Sequence, residues 1–196
     1  CYADKPFLSK DGMLATYDNW RDITQWPEVP GAVKLRDRSI KKQGNPLEKK
    51  GIVGAFCKTY TVEQAMDTFL DGIYEPCDTH PGRYTYTEGS TVGGAVLYED
   101  GLFLYSHHAT DPAGGRLCNA FDLVRIHKFY ELDYESKEGT PITRLPSFSA
   151  MCEFAMEQPN VAKVVTVELY ADRCRGSSIR SSLIKIVRGL MKMMPD

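Results

Sequence analysis

Between Arg83 and Ser106 the chain alternates as β-strands do, and one turn divides the stretch. Tyr84 and Tyr86 alternate with Thr85 and Thr87, the period-two pattern of a strand with two unlike faces. Further on, Ala95 and Leu97 alternate against Val96 and Tyr98. Glu99-Asp100-Gly101 then reads as a hairpin turn with glycine late in the loop, and Leu102 to Tyr105 supplies the return strand. Gly93-Gly94 marks a bulge or a close backbone approach. A small antiparallel sheet of this kind needs covering helices to complete a core.

The helices are legible on both sides of it. Ile52, Val53, Phe56 and Cys57 form an apolar stripe at helical spacing. Thr61-Val-Glu-Gln64 is a capping box that opens a second helix, with Val62, Ala65, Met66, Phe69 and Leu70 inward and Gly72 as its C-cap. The pair reads as a packed hairpin or as a DNA-reading helix-turn-helix, although Glu63, Asp67 and Asp71 on the second helix would repel phosphates. Asn119 caps a helix from Ala120 to about Phe129, with Phe121, Leu123, Val124 and His127 along its stripe. Residues 131 to 145 read as a polar connection. Ser147 caps a further helix that Pro159 ends. Lys163 to Tyr170 reads as a strand or a helix end. Beyond it Ile179, Leu183, Ile186, Val187, Leu190 and Met191 fall at amphipathic spacing in a basic tail. Near the start, Asp11-Gly12 marks a turn, and Trp20, Ile23 and Trp26 fit a helix capped by Asp18. The two tryptophans read as a hydrophobic anchor or as base-stacking groups.

The whole chain of 196 residues carries a formal charge of −2, so any nucleic-acid contact must come from a local patch. One stretch offers it: residues 33–50 hold Lys34, Arg36, Arg38, Lys41, Lys42, Lys49 and Lys50 against Asp37 and Glu48. It reads either as a solvated linker or as a segment that follows a phosphate backbone. The six cysteines, at positions 1, 57, 77, 118, 152 and 174, form no Cys-x-x-Cys pair and read as buried thiols of a cytoplasmic protein. No run approaches the ~20 apolar residues of a membrane span, and no signal peptide opens the chain. Cys1 stands where an initiator Met would, and Tyr2 to Phe7 reads as mid-protein sequence, so a piece of something longer is expected.

Catalytic signatures are missing from the sequence. There is no Gly-x-x-x-x-Gly-Lys-Ser/Thr for a P-loop, and no Asp-x-Asp after a strand to hold two metals. Asp133 and Glu135 read as surface. Ser106 beside His107 lacks a nucleophile elbow. Cys77-Asp-Thr-His80 has the spacing of half a zinc site, completed on paper by His107 or His108 with Cys118, and a hairpin after a ligand pair resembles a zinc ribbon. The competing reading is a ribbon-like fold held by apolar packing.

Several words of the sequence occur together in one known family. They are Lys5-Pro-Phe-Leu-Ser-Lys-Asp-Gly-Met-Leu14, Trp20-Arg-Asp-Ile-Thr-Gln-Trp-Pro27, Gly51-Ile-Val-Gly-Ala-Phe-Cys57 and Tyr74-Glu-Pro76. Arg83-Tyr-Thr-Tyr-Thr-Glu-Gly-Ser-Thr91, Tyr105-Ser-His-His108, Thr110-Asp-Pro112 and Asn119-Ala-Phe-Asp-Leu-Val-Arg125 complete the set. In these words the chain resembles the phage and prophage primase–helicase replication proteins, the virulence-associated protein E family, over residues 2 to 160. The resemblance implies the segment between a primase core and a helicase-type ATPase, without the catalytic residues of either. It divides the chain into the end of a primase-type domain (1–31), a basic linker (32–50), an intervening α+β module (51–160) and a divergent basic tail (161–196), where a frameshift is expected.

The expected fold is thus α+β: a helical hairpin and a small antiparallel sheet, zinc-ribbon-like or winged, with covering helices. The expected function is non-catalytic positioning of single-stranded or primer-template DNA. Lys34, Arg36, Arg38, Lys41 and Lys42 would hold phosphates, and Tyr84, Tyr86 and His107 would present stacking or polar groups. The alternative is an interdomain scaffold that does not bind DNA. No cofactor is expected apart from zinc on Cys77, His80, His107 and Cys118.

Overall fold

The computed structural model describes residues 9–17, 19, 21–22, 42–78 and 80–175. Lys34, Arg36, Arg38, Lys41, both tryptophans and residues 176–196 lie outside them. Helix α1 spans Lys10–Thr16. Asp11 and Gly12, expected in a turn, lie inside it because the Ser9 hydroxyl accepts the Gly12 N–H at 3.0 Å and caps its first turn. Arg21 and Asp22 fell within an expected helix. Asp22 instead forms a β-bridge to Val92, and the Val92 N–H donates to the Arg21 carbonyl at 2.9 Å.

The fold is α+β. Helices α2 (Gly51–Thr59) and α3 (Val62–Phe69) form the expected hairpin. Both halves of the capping box are present: Gln64 N–H donates to Thr61 Oγ1 at 3.2 Å, and Thr61 N–H donates to Gln64 Oε1 at 3.0 Å. The cap of α3 falls on Leu70 rather than Gly72, which follows two residues later with a φ of +73°. A five-stranded antiparallel sheet comes next, made of β1 (Tyr74–Pro76), β2 (Arg83–Tyr86), β3 (Ala95–Tyr98), β4 (Phe103–Ser106) and β5 (Leu117–Cys118). Its strand order is sequential, a meander open at both edges. The β3–β4 turn places Glu99, Asp100 and Gly101 at positive φ, which short acidic residues and glycine tolerate best.

Helix α4 (Ala120–Phe129) lies against β4 and β5, and α5 (Pro146–Glu157) and α6 (Pro159–Arg175) pack behind it, with α6 alongside α2. Lys163 to Tyr170 is therefore helix. The compositional boundary at 161 falls inside α6, where Val161 is fully buried and Val164 and Val165 pack on the core. Asn119 caps α4, accepting the Asp122 N–H at 2.9 Å. Ser147 does not cap α5. Asp133 does so from a 3₁₀ turn at Tyr130–Asp133, accepting the Ser147 N–H at 2.9 Å and its hydroxyl at 2.6 Å. The buried Arg125 guanidinium donates to Ser147 Oγ at 2.8 Å and sits 3.7 Å from Asp133. Asp133 is thus an interior partner for a buried cation and not a surface carboxylate, because an unpaired Arg125 would be costly there.

The core comprises Phe56, Val62, Met66, Tyr74, Tyr86, Leu104, Cys118, Phe121, Leu123 and Met151 among others. Strand alternation sorts the sheet into two faces. Tyr74, Tyr84, Tyr86, Ala95, Leu97, Leu104, Ser106 and Cys118 share the face toward the helices, and Arg83, Thr85, Val96, Tyr105 and Leu117 share the other. Cys57, Cys77, Cys118 and Cys152 are all thiols, the first and third buried. Burial pushes the Cys57 thiol up to about 11 and the Cys118 thiol up to about 12, so both stay protonated and unreactive. Among the described residues no helix is long and apolar enough to cross a membrane.

The two N-caps differ in burial, and their removal should show it. Thr61→Ala is expected to lower unfolding free energy by about 1 kcal/mol. Asn119 is fully buried, accepts the Cys57 thiol as well and donates to Asp122 Oδ2 at 2.9 Å. Asn119→Ala should therefore cost more, about 2 kcal/mol or above. Urea titrations of the two variants provide the comparison.

Candidate functional site

Polar groups converge where the core face of the sheet meets α4. Tyr74 on β1 donates its hydroxyl to Asp111 Oδ2 at 2.7 Å. Its oxygen also lies 2.8 Å from His127 Nε2 on α4. The phenol has one proton and gives it to Asp111, so His127 Nε2 carries a proton and donates to the phenol oxygen. His127 Nε2 is also 3.4 Å from Asp111 Oδ1. The Ala113 N–H donates to the same Oδ1 at 2.7 Å, as an Asx turn does. Burial alone would raise the Asp111 carboxyl, but hydrogen bonds from His127, Ser106, Tyr74 and Ala113 outweigh it and hold it below its usual range. Burial raises the Tyr74 hydroxyl, and the adjacent carboxylate raises it further.

His108 forms the second half of this network. Its Nε2 accepts the Tyr86 N–H at 3.3 Å, and its Nδ1 is 2.9 Å from Thr91 Oγ1. An amide can only donate, so in the neutral ring Nδ1 holds the proton and faces the threonine oxygen. The His108 N–H donates to Ser106 Oγ at 3.3 Å. The ring fits between two glycines: a Cβ on Gly94 would lie 2.5 Å from Nε2, and one on Gly89 would lie 2.8 Å from Nδ1. The close approach expected at Gly93-Gly94 is therefore an approach to this imidazole. Burial lowers the His108 pKa, and the Asp111 charge and the Tyr84 backbone only partly oppose the shift.

Ser106, His108 and Asp111 do not form a nucleophilic triad. The serine oxygen meets the His108 backbone amide, not its ring, and the ring nitrogens face Tyr86 and Thr91. Ser106, His108 and Asp111 are all almost completely buried. The arrangement satisfies interior polar groups and leaves none poised to attack a substrate.

The residues expected to contact DNA separate into three groups. Lys34, Arg36, Arg38 and Lys41 lie outside the described residues, and Lys42 is exposed. Tyr84 and Tyr86 belong to the core face and do not form an open stacking surface. Tyr86 is only 6% exposed and packs near Tyr74, His108 and His127. Tyr84 is half-buried and donates its hydroxyl to Glu63 Oε1 at 2.8 Å. Burial and then that carboxylate raise its pKa, and the neighbouring Glu63 and Asp67 would repel phosphate. His107 is exposed beyond β4, its ring 4.8 Å from that of Tyr105.

The zinc quartet is not brought together. Cys77 and His80 lie in the β1–β2 connection, where the Cys77 N–H donates to the Arg83 carbonyl at 2.9 Å. Cys118 is buried on the core face, whereas Leu117 pairs with Tyr105 on the face that His107 shares. Among the described residues no group of three or more His, Cys, Asp or Glu side chains is placed to hold a metal. Sequence reasoning missed Tyr74, His108, Asp111 and His127 as one cluster. Its signal was the polar composition of Tyr74-Glu-Pro76, Tyr105-Ser-His-His108 and Thr110-Asp-Pro112, which local periodicity does not join. Comparison with protein-family models, with curated proteins and with solved structures gives no match.

The network predicts acid lability in two stages. The folded His108 pKa lies below the unfolded value of about 6.5. Stability is therefore full above pH ~6.5 and falls as the unfolded chain takes up the proton first, until the folded pKa is reached. Asp111 acts in the same direction in a lower window: its depressed folded pKa contributes stability above the unfolded value of about 3.9, and this is lost as pH falls through the folded pKa. Urea midpoints measured from pH 7.5 to 3 should fall in both windows, and His108→Gln should flatten the upper one. A midpoint constant from pH 7.5 to 5 would contradict this assignment. Gly94→Ala should cost about 2 kcal/mol or more at any pH, because the imidazole has no room to yield.

Proposed function

We propose that the chain is a non-catalytic module of a phage- or prophage-type DNA replication protein. It joins a primase-type domain upstream to a helicase-type ATPase downstream, in the cytoplasm, and holds single-stranded or primer-template DNA through the basic segment Lys34, Arg36, Arg38, Lys41 and Lys42. One observation carries the reading. The stretches in which the chain resembles the primase–helicase family include Tyr74, Tyr86, Ser106, His108, Asp111, Asn119 and Arg125, and all seven are buried. Residues so placed specify a fold and do not turn over a substrate, which fits a module that positions other parts.

Charge favours the linker as the DNA contact. Residues 51–175 contain ten Lys and Arg against eighteen Asp and Glu, a net charge of −8. A body of that sign repels a phosphate backbone, whereas residues 33–50 carry a net +5 from seven cations and two acids. The alternative, a scaffold without DNA contact, draws on the same acidic body and differs only in the role of the linker.

Fluorescence anisotropy of a labelled oligothymidylate with the full chain, over a salt series, separates the two. Each phosphate contact on a single strand contributes about 0.7 to the slope of log K against log salt. Changing Lys34, Arg36, Arg38, Lys41 and Lys42 together to Gln is expected to reduce that slope by about 3.5. Absence of wild-type binding at low salt would leave the scaffold, and an unchanged slope would place the phosphate contacts elsewhere.

A further inference from the structure

The outer face of the sheet, turned away from the helices, is not a water-exposed face. Phe103 on β4 is 1% exposed and Leu117 on β5 is 8% exposed, yet both stand outside the core cluster that the helices complete. Arg83 pairs with Val96 and Val96 with Tyr105 on the same face, and all three are half-buried. An antiparallel sheet with one solvated face leaves such positions open to water. Two contacts mark where the N-terminal part of the chain meets this face. At the β2–β3 connection Asp22 bridges to Val92, and the Val92 N–H donates to the Arg21 carbonyl. That connection is tied to the outer face, because the Gly93 N–H donates to Thr85 Oγ1 at 2.9 Å and Arg83 donates to the Gly93 carbonyl at 3.4 Å. At the β5 edge the Gln43 side-chain amide donates to the Leu117 carbonyl. The Gln43 Oε1 atom is buried there with no hydrogen-bond partner among the described residues, a polar atom shut in by packing.

We propose that residues 23–41 of this chain pack on the outer face of the sheet and form a second apolar layer with Phe103, Val96 and Leu117. Both flanks of the segment are fixed, Asp22 at the β2–β3 connection and Gln43 at β5. The direct path between them crosses β3 and β4, about 15 Å at the usual strand spacing. Nineteen residues separate Asp22 from Lys42. A chain of that length reaches about 60 Å when extended, so it crosses the face with slack to lay side chains down. The opposite face offers no route, because α4 lies against β4 and β5 there. Ile23, Trp26, Val29, Val33, Leu35 and Ile40 supply the apolar groups that cover Phe103 and Leu117. Charge agrees with this occupant. Residues 23–41 hold Lys34, Arg36, Arg38 and Lys41 against Glu28 and Asp37, four cations less two acids for a net +2, on a body of residues 51–175 that nets −8. The cations then sit on a folded surface and not on a free linker. The assignment rests on burial and on the path of the chain, so it stands whether or not the protein binds DNA.

The test uses the full chain. A photo-reactive benzoylphenylalanine in place of Tyr105 is irradiated in a mixture of isotope-labelled and unlabelled chains, and the joined peptides are read by mass spectrometry. The expected product links position 105 to a residue between 23 and 41 of the same chain. Links confined to pairs of chains would make the occupant a second copy and overturn the proposal. So would a set of products with none in residues 23–41. Trypsin supplies a second measurement on the unaltered protein, which stands even if the photo-reactive variant does not fold. Cleavage after Lys34, Arg36, Arg38 and Lys41 should be at least about tenfold slower in the full chain than in a synthetic peptide of residues 23–50, because a packed segment is cut only when it opens. Equal rates in chain and peptide would overturn the proposal even where a cross-link forms.

Discussion

The Asp111 carboxylate organises the fold. It lies between the β4–β5 connection and the core, and a buried anion in that place is tolerated only when its lone pairs are filled. Tyr74 reaches it from β1, His127 from α4, Ser106 from β4 and the Ala113 amide from its own turn. Strand β1 and helix α4 are thereby tied to the β4–β5 connection at one point. The geometry also dictates protonation, since the phenol proton goes to the carboxylate and the His127 proton goes to the phenol. Removing any one donor would leave a charge or a lone pair unsatisfied, a penalty larger than the net value of the bond itself.

A second polar cluster, Arg125 with Asp133 and Ser147, performs the same task among the helices. It shows how a residue can change meaning between sequence and structure. Asp133 sits in a stretch with the composition of a surface connection, yet it caps α5 and neutralises a buried guanidinium. The two clusters together fix the orientation of α4, which carries His127 toward the sheet and Arg125 toward α5. Apolar packing sets how tightly α4 is held. These directional contacts set which way it faces.

Several local signals in the chain held, although the Asp11-Gly12 turn, the Gly72 cap and the Ser147 cap did not. The capping box at Thr61, the Asn119 cap, the Glu99-Asp100-Gly101 turn and the helical stripe of residues 52–57 each encode a structure within a few residues, and each formed as expected. The sheet was larger than its alternating stretch, because β1 and β5 are short and draw their stability from neighbours. The two faces of β2 could not be assigned from its residues. Tyrosine suits either a core with a hydroxyl partner or an open surface, and only pairing with Ala95 decides for Tyr84. The zinc quartet failed for the related reason that spacing along a chain says nothing about which side of a sheet a side chain takes. His107 and Cys118 are close in sequence, yet Cys118 faces the helices and His107 the outer side.

The meander has a consequence for how the chain reaches this state. Each strand pairs with its sequence neighbour, and α3 leads directly into the sheet, so most of the interior can assemble from contacts between adjacent segments. The longest closure is the seam between α2 and α6, where Lys58 meets Glu168 at a sequence separation of 110. Closing that loop requires the ordered interior to bring its two ends together first. The seam is therefore the closure with the largest loop entropy to overcome, and Val161, fully buried on α6, is among the side chains that hold it.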